Sequence, residues 1–128
     1  ILHSKYMQEH ISKRFHIVLD AYNCKPDVLN DTAIVKHALE TIATLCEMHI
    51  LHGPVVIEGV PVNPGITGFA VIDFSHISIH TFTATGELCV DVFSCKPFDY
   101  EKVKEFVKKT FRLDGRFIEY VEVQYRTH

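Results

Sequence analysis

The 128-residue chain has no basic block, no long apolar run and no closely spaced cysteine pair. Each absence excludes a class. Its formal charge of −3 lacks the electrostatic footprint of a nucleic-acid binder, so no nucleic-acid partner is expected. The longest apolar stretches, such as 69–72, fall far short of the ~20 residues a membrane span needs. Residues 1–14 (ILHSKYMQEHISKR) lack the apolar heart of a signal peptide and read as a tail before a single domain over 15–128. The chain opens on Ile1, which makes Met7 the candidate natural start. Cys24, Cys46, Cys89 and Cys95 form no CxxC and no zinc-like spacing with histidine. Reduced thiols in a cytoplasm, with no structural metal, are the expectation.

What is present begins with a repeat. Residues 18–26 read VLDAYNCKP and residues 89–97 read CVDVFSCKP, matching Asp20 to Asp91, Cys24 to Cys95 and Pro26 to Pro97. Each copy reads as a strand, a Cys-Lys-Pro turn and an amphipathic helix, because proline has no N–H to continue strand pairing. In the first copy Phe15, Ile17, Leu19 and Ala21 alternate onto one face, and Asn30 or Asp31 can cap a helix to about Met48. In the second, Leu88, Val90 and Val92 alternate, and Asp99 can cap a helix through Phe111. Between the copies lie strand-like runs 54–60, 68–74 and 76–82, with a turn expected at Pro64-Gly65. A last strand is expected over 116–125. The order β-α-β-β-β-β-α-β predicts an α+β fold: a two-layer sandwich of a mostly antiparallel sheet with two helices on one face and an internal βα duplication. The second face is left open for a partner subunit.

Reactive side chains concentrate in Phe74-Ser75-His76-Ile77-Ser78-Ile79-His80-Thr81. Alternation puts His76, Ser78, His80 and Phe82 on one face, which by itself also describes an edge strand with a polar, solvated side. A Ser-His hydrolase lacks support, since there is no GxSxG elbow and no assignable acidic third member.

The string SHISIHT followed by VDVFSC closely resembles the short prokaryotic S-adenosylmethionine decarboxylases, over nearly the whole chain from Phe15 to Val123. That resemblance implies a pyruvoyl cofactor derived from Ser75 by self-cleavage between Phe74 and Ser75. Ser75 Oγ would attack the Phe74 carbonyl to give an ester. Loss of the Ser75 Cα proton would then expel the Phe74 carboxylate, and the resulting dehydroalanine would hydrolyse to pyruvoyl. His80 matches the family's processing histidine, and Thr67 stands where the family usually has a serine that helps stabilise the intermediate. Cys95 matches the catalytic acid that reprotonates the substrate carbon. In the mature enzyme the ketone would take the substrate amine as a Schiff base and act as electron sink. On a regular strand Ser75 and His80 face opposite ways, so their cooperation requires a turn or bulge at the cleavage point.

Three positions depart from the family. Phe74 replaces the usual glutamate before the serine. Phe82-Thr83-Ala84 replaces Trp-Pro-Glu, removing the carboxylate that holds the ribose. Pro61 stands where the family has its adenine-stacking phenylalanine. These losses lead to the reading of a basic amino-acid decarboxylase acting on arginine or ornithine in polyamine biosynthesis, as in a subset of the family. The alternatives are an S-adenosylmethionine decarboxylase supplying the aminopropyl donor for spermidine, and a non-catalytic homologue serving as a partner subunit. No substrate-binding residue is assigned; Asp20, Glu58, Asp73, Glu87 and Asp91 all remain candidates for a distal cation. A homodimer is expected.

Overall fold

In the computed structural model, which describes residues 13–125, alternate residues of Phe15–Ala21 (β1) are buried: Ile17, Leu19 and Ala21. Residues 1–12 of the expected tail, and 126–128, lie outside the described residues. A one-turn helix, α1 (Pro26–Leu29), begins at the first repeat's proline, whose missing N–H costs nothing at a helix start. Asp31 caps α2 (Thr32–Leu45) by accepting from the Ala33 and Ile34 N–H groups. Its buried stripe is Val35, Ala38, Leu39, Ile42 and Ala43. The helix stops before Met48, because Glu47 adopts a left-handed φ of +57°.

Four strands follow: β2 (Ile50–Val60), β3 (Asn63–Ile72), β4 (Ser75–Phe82) and β5 (Glu87–Ser94). Asp99 then caps α3 (Tyr100–Thr110) through the Lys102 N–H. A 3-10 turn at Gly115–Phe117 leads into β6 (Ile118–Glu122). The sheet order is β2-β3-β4-β5-β1-β6, with every neighbouring pair antiparallel. Both long helices bury their apolar stripes in one core against a single sheet face, which is the expected two-layer α+β sandwich. Gly68 permits α2 to lie close, since a Cβ there would meet Val35 at 2.6 Å and Leu39 at 3.0 Å.

The β2–β3 turn differs from the expected Pro64-Gly65. It lies at Pro61-Val62, and Pro64 and Gly65 sit inside β3. Gly65 is required there, since at its φ of +147° a Cβ would strike the Thr81 carbonyl at 1.9 Å. The run 68–74 is also shortened, because Asp73 and Phe74 form the turn between β3 and β4. The repeat has a spatial counterpart: β1 and β5 are antiparallel neighbours, and the equivalent residues Leu19 and Val90 pair directly. A local twofold therefore passes between the two βα units. No helix among the described residues is long and apolar enough to cross a membrane.

Candidate active site

The Phe74–Ser75 peptide lies where a two-residue turn enters β4. Ile72 pairs with Ser75 across that turn, and Ser75 pairs with Ser94 on its other side. Ser75 has a φ of +144°, a region an L-residue enters only at a cost of about 1–3 kcal/mol. Strain is thus held at one residue between two firmly paired strands.

Two contacts hold the turn. On one side the Asp73 N–H donates to the His49 carbonyl at 3.0 Å, and the His49 N–H returns a bond to Asp73 Oδ1 at 3.0 Å. His49 Nδ1 also lies 3.1 Å from Asp73 Oδ2. Burial pushes the Asp73 carboxyl up, but the bonds from His49 and its charge outweigh this and hold it below the usual range. On the other side the Cys95 N–H donates to the Phe74 carbonyl at 3.0 Å. The repeat makes the parallel bond, since the Cys24 N–H donates to the Gly86 carbonyl at 3.0 Å. The neighbouring Ser94 is fully buried; its hydroxyl donates to Met48 Sδ and accepts from the Lys96 N–H at 2.9 Å.

The four cysteines divide sharply. Cys95 is exposed at the end of β5, next to the turn. Burial pushes the Cys46 thiol to about 12. Burial, then the Asp20 charge and hydrogen bond, pushes Cys89 to about 12 as well. Burial, and then the Glu87 charge, raises Cys24. Among the described residues no group of histidine, cysteine and carboxylate side chains is arranged to hold a metal.

Thr67 and His80 form a second constellation at the other end of the strands. They are register partners on β3 and β4, and Thr67 Oγ1 lies 3.3 Å from His80 Nδ1. The His80 ring stacks on Phe82 at 6.5 Å. Ser75 and Cys95 are thus brought together, as are Thr67 and His80, but the two pairs are separated. The expected turn is present at Asp73-Phe74, but β4 keeps an unbroken register with both neighbours from Ser75 to Phe82, so the turn does not bring His80 to Ser75. Five residues of strand put His80 about 16 Å from Ser75 within one chain.

The candidate carboxylates are dispersed. Asp91 sits on the open sheet face, 3.0 Å from His16 Nε2 and 3.8 Å from His76 Nε2. The His76 ring is stacked between Phe69 and Phe93. Asp20 is opposite Cys89, Glu87 accepts from the Thr85 hydroxyl, and Asp73 is engaged with His49. Glu58 lines a cleft of about 280 Å³ with Pro61 and Thr83, next to the turns carrying two family departures.

Several contributors escaped sequence reasoning. His49, singled out by no pattern in the sequence, lies beyond α2 and holds the turn. The Cys95 N–H and the backbone of Ser75 leave no mark in side-chain patterns. The one usable signal was the repeat, which aligns Cys95 with a residue whose N–H also bridges to a turn.

A family model described as S-adenosylmethionine decarboxylase matches residues 15–122. The S-adenosylmethionine decarboxylase proenzyme of Parasynechococcus marenigrum is 36% identical over 80 residues, covering 62% of this chain and 60% of that protein. The chain thus aligns with less than two thirds of that relative's length. A proenzyme of the same name from Methanococcus maripaludis is 31% identical over 99 residues, covering 73% of this chain and 78% of that protein. The crystal structure of the adenosylmethionine decarboxylase from Aquifex aeolicus has a TM-score of 0.71 at 22% identity, over 88% of this chain and 89% of that one. That last likeness is one of fold.

Proposed function

The chain belongs to the S-adenosylmethionine decarboxylase family, and from that membership we propose that it is a proenzyme that cleaves itself between Phe74 and Ser75 and then acts as a pyruvoyl-dependent decarboxylase. The observation that carries this reading is the Cys95 N–H aimed at the Phe74 carbonyl, beside a strained Ser75. When Ser75 Oγ attacks that carbonyl, negative charge develops on the oxygen this N–H already faces, the arrangement that stabilises acyl transfer. The C–N bond breaks as the ester forms, and the Ser75 amine is released. Loss of the Cα proton then expels the Phe74 carboxylate, and water replaces the nitrogen of dehydroalanine as ammonia.

A pyruvoyl group fits the start of β4. His76 onward stays paired with β3 and β5 after the cut, so the new terminus keeps its place beside Cys95. Once formed, the group supplies an electron sink for the carbanion left by CO2 loss. The exposed Cys95 thiol would return a proton to that carbon.

Proton transfer during processing is assigned to His80, oriented by Thr67. Because about 16 Å of strand separates them from Ser75, these two residues would serve a second copy of the chain. The open sheet face supports such pairing, with Phe69 at 38%, Val121 at 50% and Ile57 at 59% exposure. Two sheets packed through these faces would make a four-layer homodimer, with each copy lending Thr67 and His80 to the other's cleavage turn.

The relatives' names favour S-adenosylmethionine as substrate. Ala84 and Pro61 favour a second reading, a basic amino acid such as arginine or ornithine. Losing charge-assisted bonds to the ribose forfeits about 1.5–3 kcal/mol, and losing base stacking about 1–3 more. Comparing kcat/KM for S-adenosylmethionine, arginine and ornithine decides between them. The proposal itself is tested by denaturing mass spectrometry. Wild type should yield residues 1–74 and a second fragment beginning with pyruvate, and Ser75→Ala should stay whole. A fragment beginning with serine would indicate proteolysis and overturn the reading.

A further inference from the structure

Lys96 directly follows the candidate acid Cys95. Its ammonium stands 5.0 Å from the centroid of the Phe74 ring. The same Nζ donates to the Glu47 carbonyl at 2.9 Å, and the Lys96 backbone N–H donates to the buried Ser94 hydroxyl at 2.9 Å. Lys96 is therefore tethered at both ends, to β5 and to the end of the α2 connection. A lysine so placed covers the aromatic face of the very residue whose carbonyl must be attacked. Phe74 is 36% exposed and lies in a two-residue turn.

We propose that Lys96 is a positioning residue for self-cleavage: its ammonium over the Phe74 ring holds the Phe74 carbonyl against the Cys95 N–H. The inference rests on the self-cleavage reading. The chain of contacts runs from the Glu47 carbonyl to the Lys96 ammonium, to the Phe74 ring, to the Phe74 carbonyl and back to Cys95. Release of the ring frees the peptide to rotate, and the carbonyl then spends less time bonded to the Cys95 N–H. The role acts on the proenzyme, before any cofactor exists.

The test follows cleavage of the full chain by denaturing mass spectrometry, with thermal melting as a check on folding. A cation over an aromatic ring at a partly exposed site corresponds to about a two- to fivefold effect. Lys96→Met should slow cleavage by that factor with an unchanged Tm, and Lys96→Arg should restore the rate. Phe74→Leu should slow cleavage to a similar extent, and adding Lys96→Met to it should slow it no further. Additive losses, or slowing by Lys96→Met but not by Phe74→Leu, would place the effect in the Glu47 contact and overturn the inference. Equal rates for wild type and Lys96→Met would overturn it while leaving self-cleavage intact. A wild-type chain that stays whole overturns the parent reading and this inference with it.

Discussion

Chemistry at the cleavage turn depends on how few side chains are needed when the backbone is already arranged. On the proposed reading Ser75 would carry the attacking hydroxyl, whereas its φ of +144° and the Cys95 N–H are properties of the main chain. The thiols illustrate the same selectivity by burial. Cys46 and Cys89 are pushed to about 12, so Cys95 is the exposed one that reagents should meet first. At pH 8 about one in 10⁴ of a thiol raised to 12 is ionised, and only the thiolate attacks an alkylating agent. Brief iodoacetamide treatment of the native protein, followed by peptide mass spectrometry, should therefore label Cys95 before Cys46 and Cys89. Labelling of Cys46 at the rate of Cys95 would contradict the packing described for α2.

The elements matter through how closely they approach. α2 rests on β3 at Gly68, where a Cβ would come within 2.6 Å of the Val35 side chain. Both facing side chains, Val35 and Leu39, are fully buried, so they can yield only by repacking the core. Gly68→Ala should thus cost about 1–3 kcal/mol by overpacking, read as a lower urea midpoint. An unchanged midpoint would mean that α2 lifts from β3 freely. Thr67, next in line on β3, is carried on the opposite face beside His80, so displacement of this strand also disturbs the second constellation.

At the scale of the whole molecule, the distance along β4 decides the architecture of the site. An unbroken strand cannot fold His80 back onto Ser75, so the two must meet between copies if both act on one bond. Chains carrying Ser75→Ala and chains carrying His80→Ala should each stay whole alone. In mixed pairs the His80→Ala chain receives an intact His80 from its neighbour and should be cut, while the Ser75→Ala chain stays whole. Co-expression with distinguishable tags and mass spectrometry reads this directly. No cutting on mixing, or full-rate cutting of His80→Ala alone, would mean that the site does not cross between copies.

Local preference was enough to make the fold legible. Alternation set the buried face of β4, Asp31 and Asp99 announced the starts of α2 and α3, and the VLDAYNCKP/CVDVFSCKP repeat foretold two βα units. These signals act over a few residues and survive in any surroundings. The turns were less legible, because Pro64-Gly65 carries strong turn chemistry yet both residues lie inside β3, where the Pro64 carbonyl accepts from the Thr83 N–H. The site's division in two was decided only by the tertiary structure. Thr67 meets His80 through cross-strand register, the Cys95 N–H meets Phe74 across two strands, and a positive φ at Ser75 is tolerated because β3 and β5 hold both sides. Such placements follow from pairing between residues distant in sequence, and no pattern within either partner encodes them.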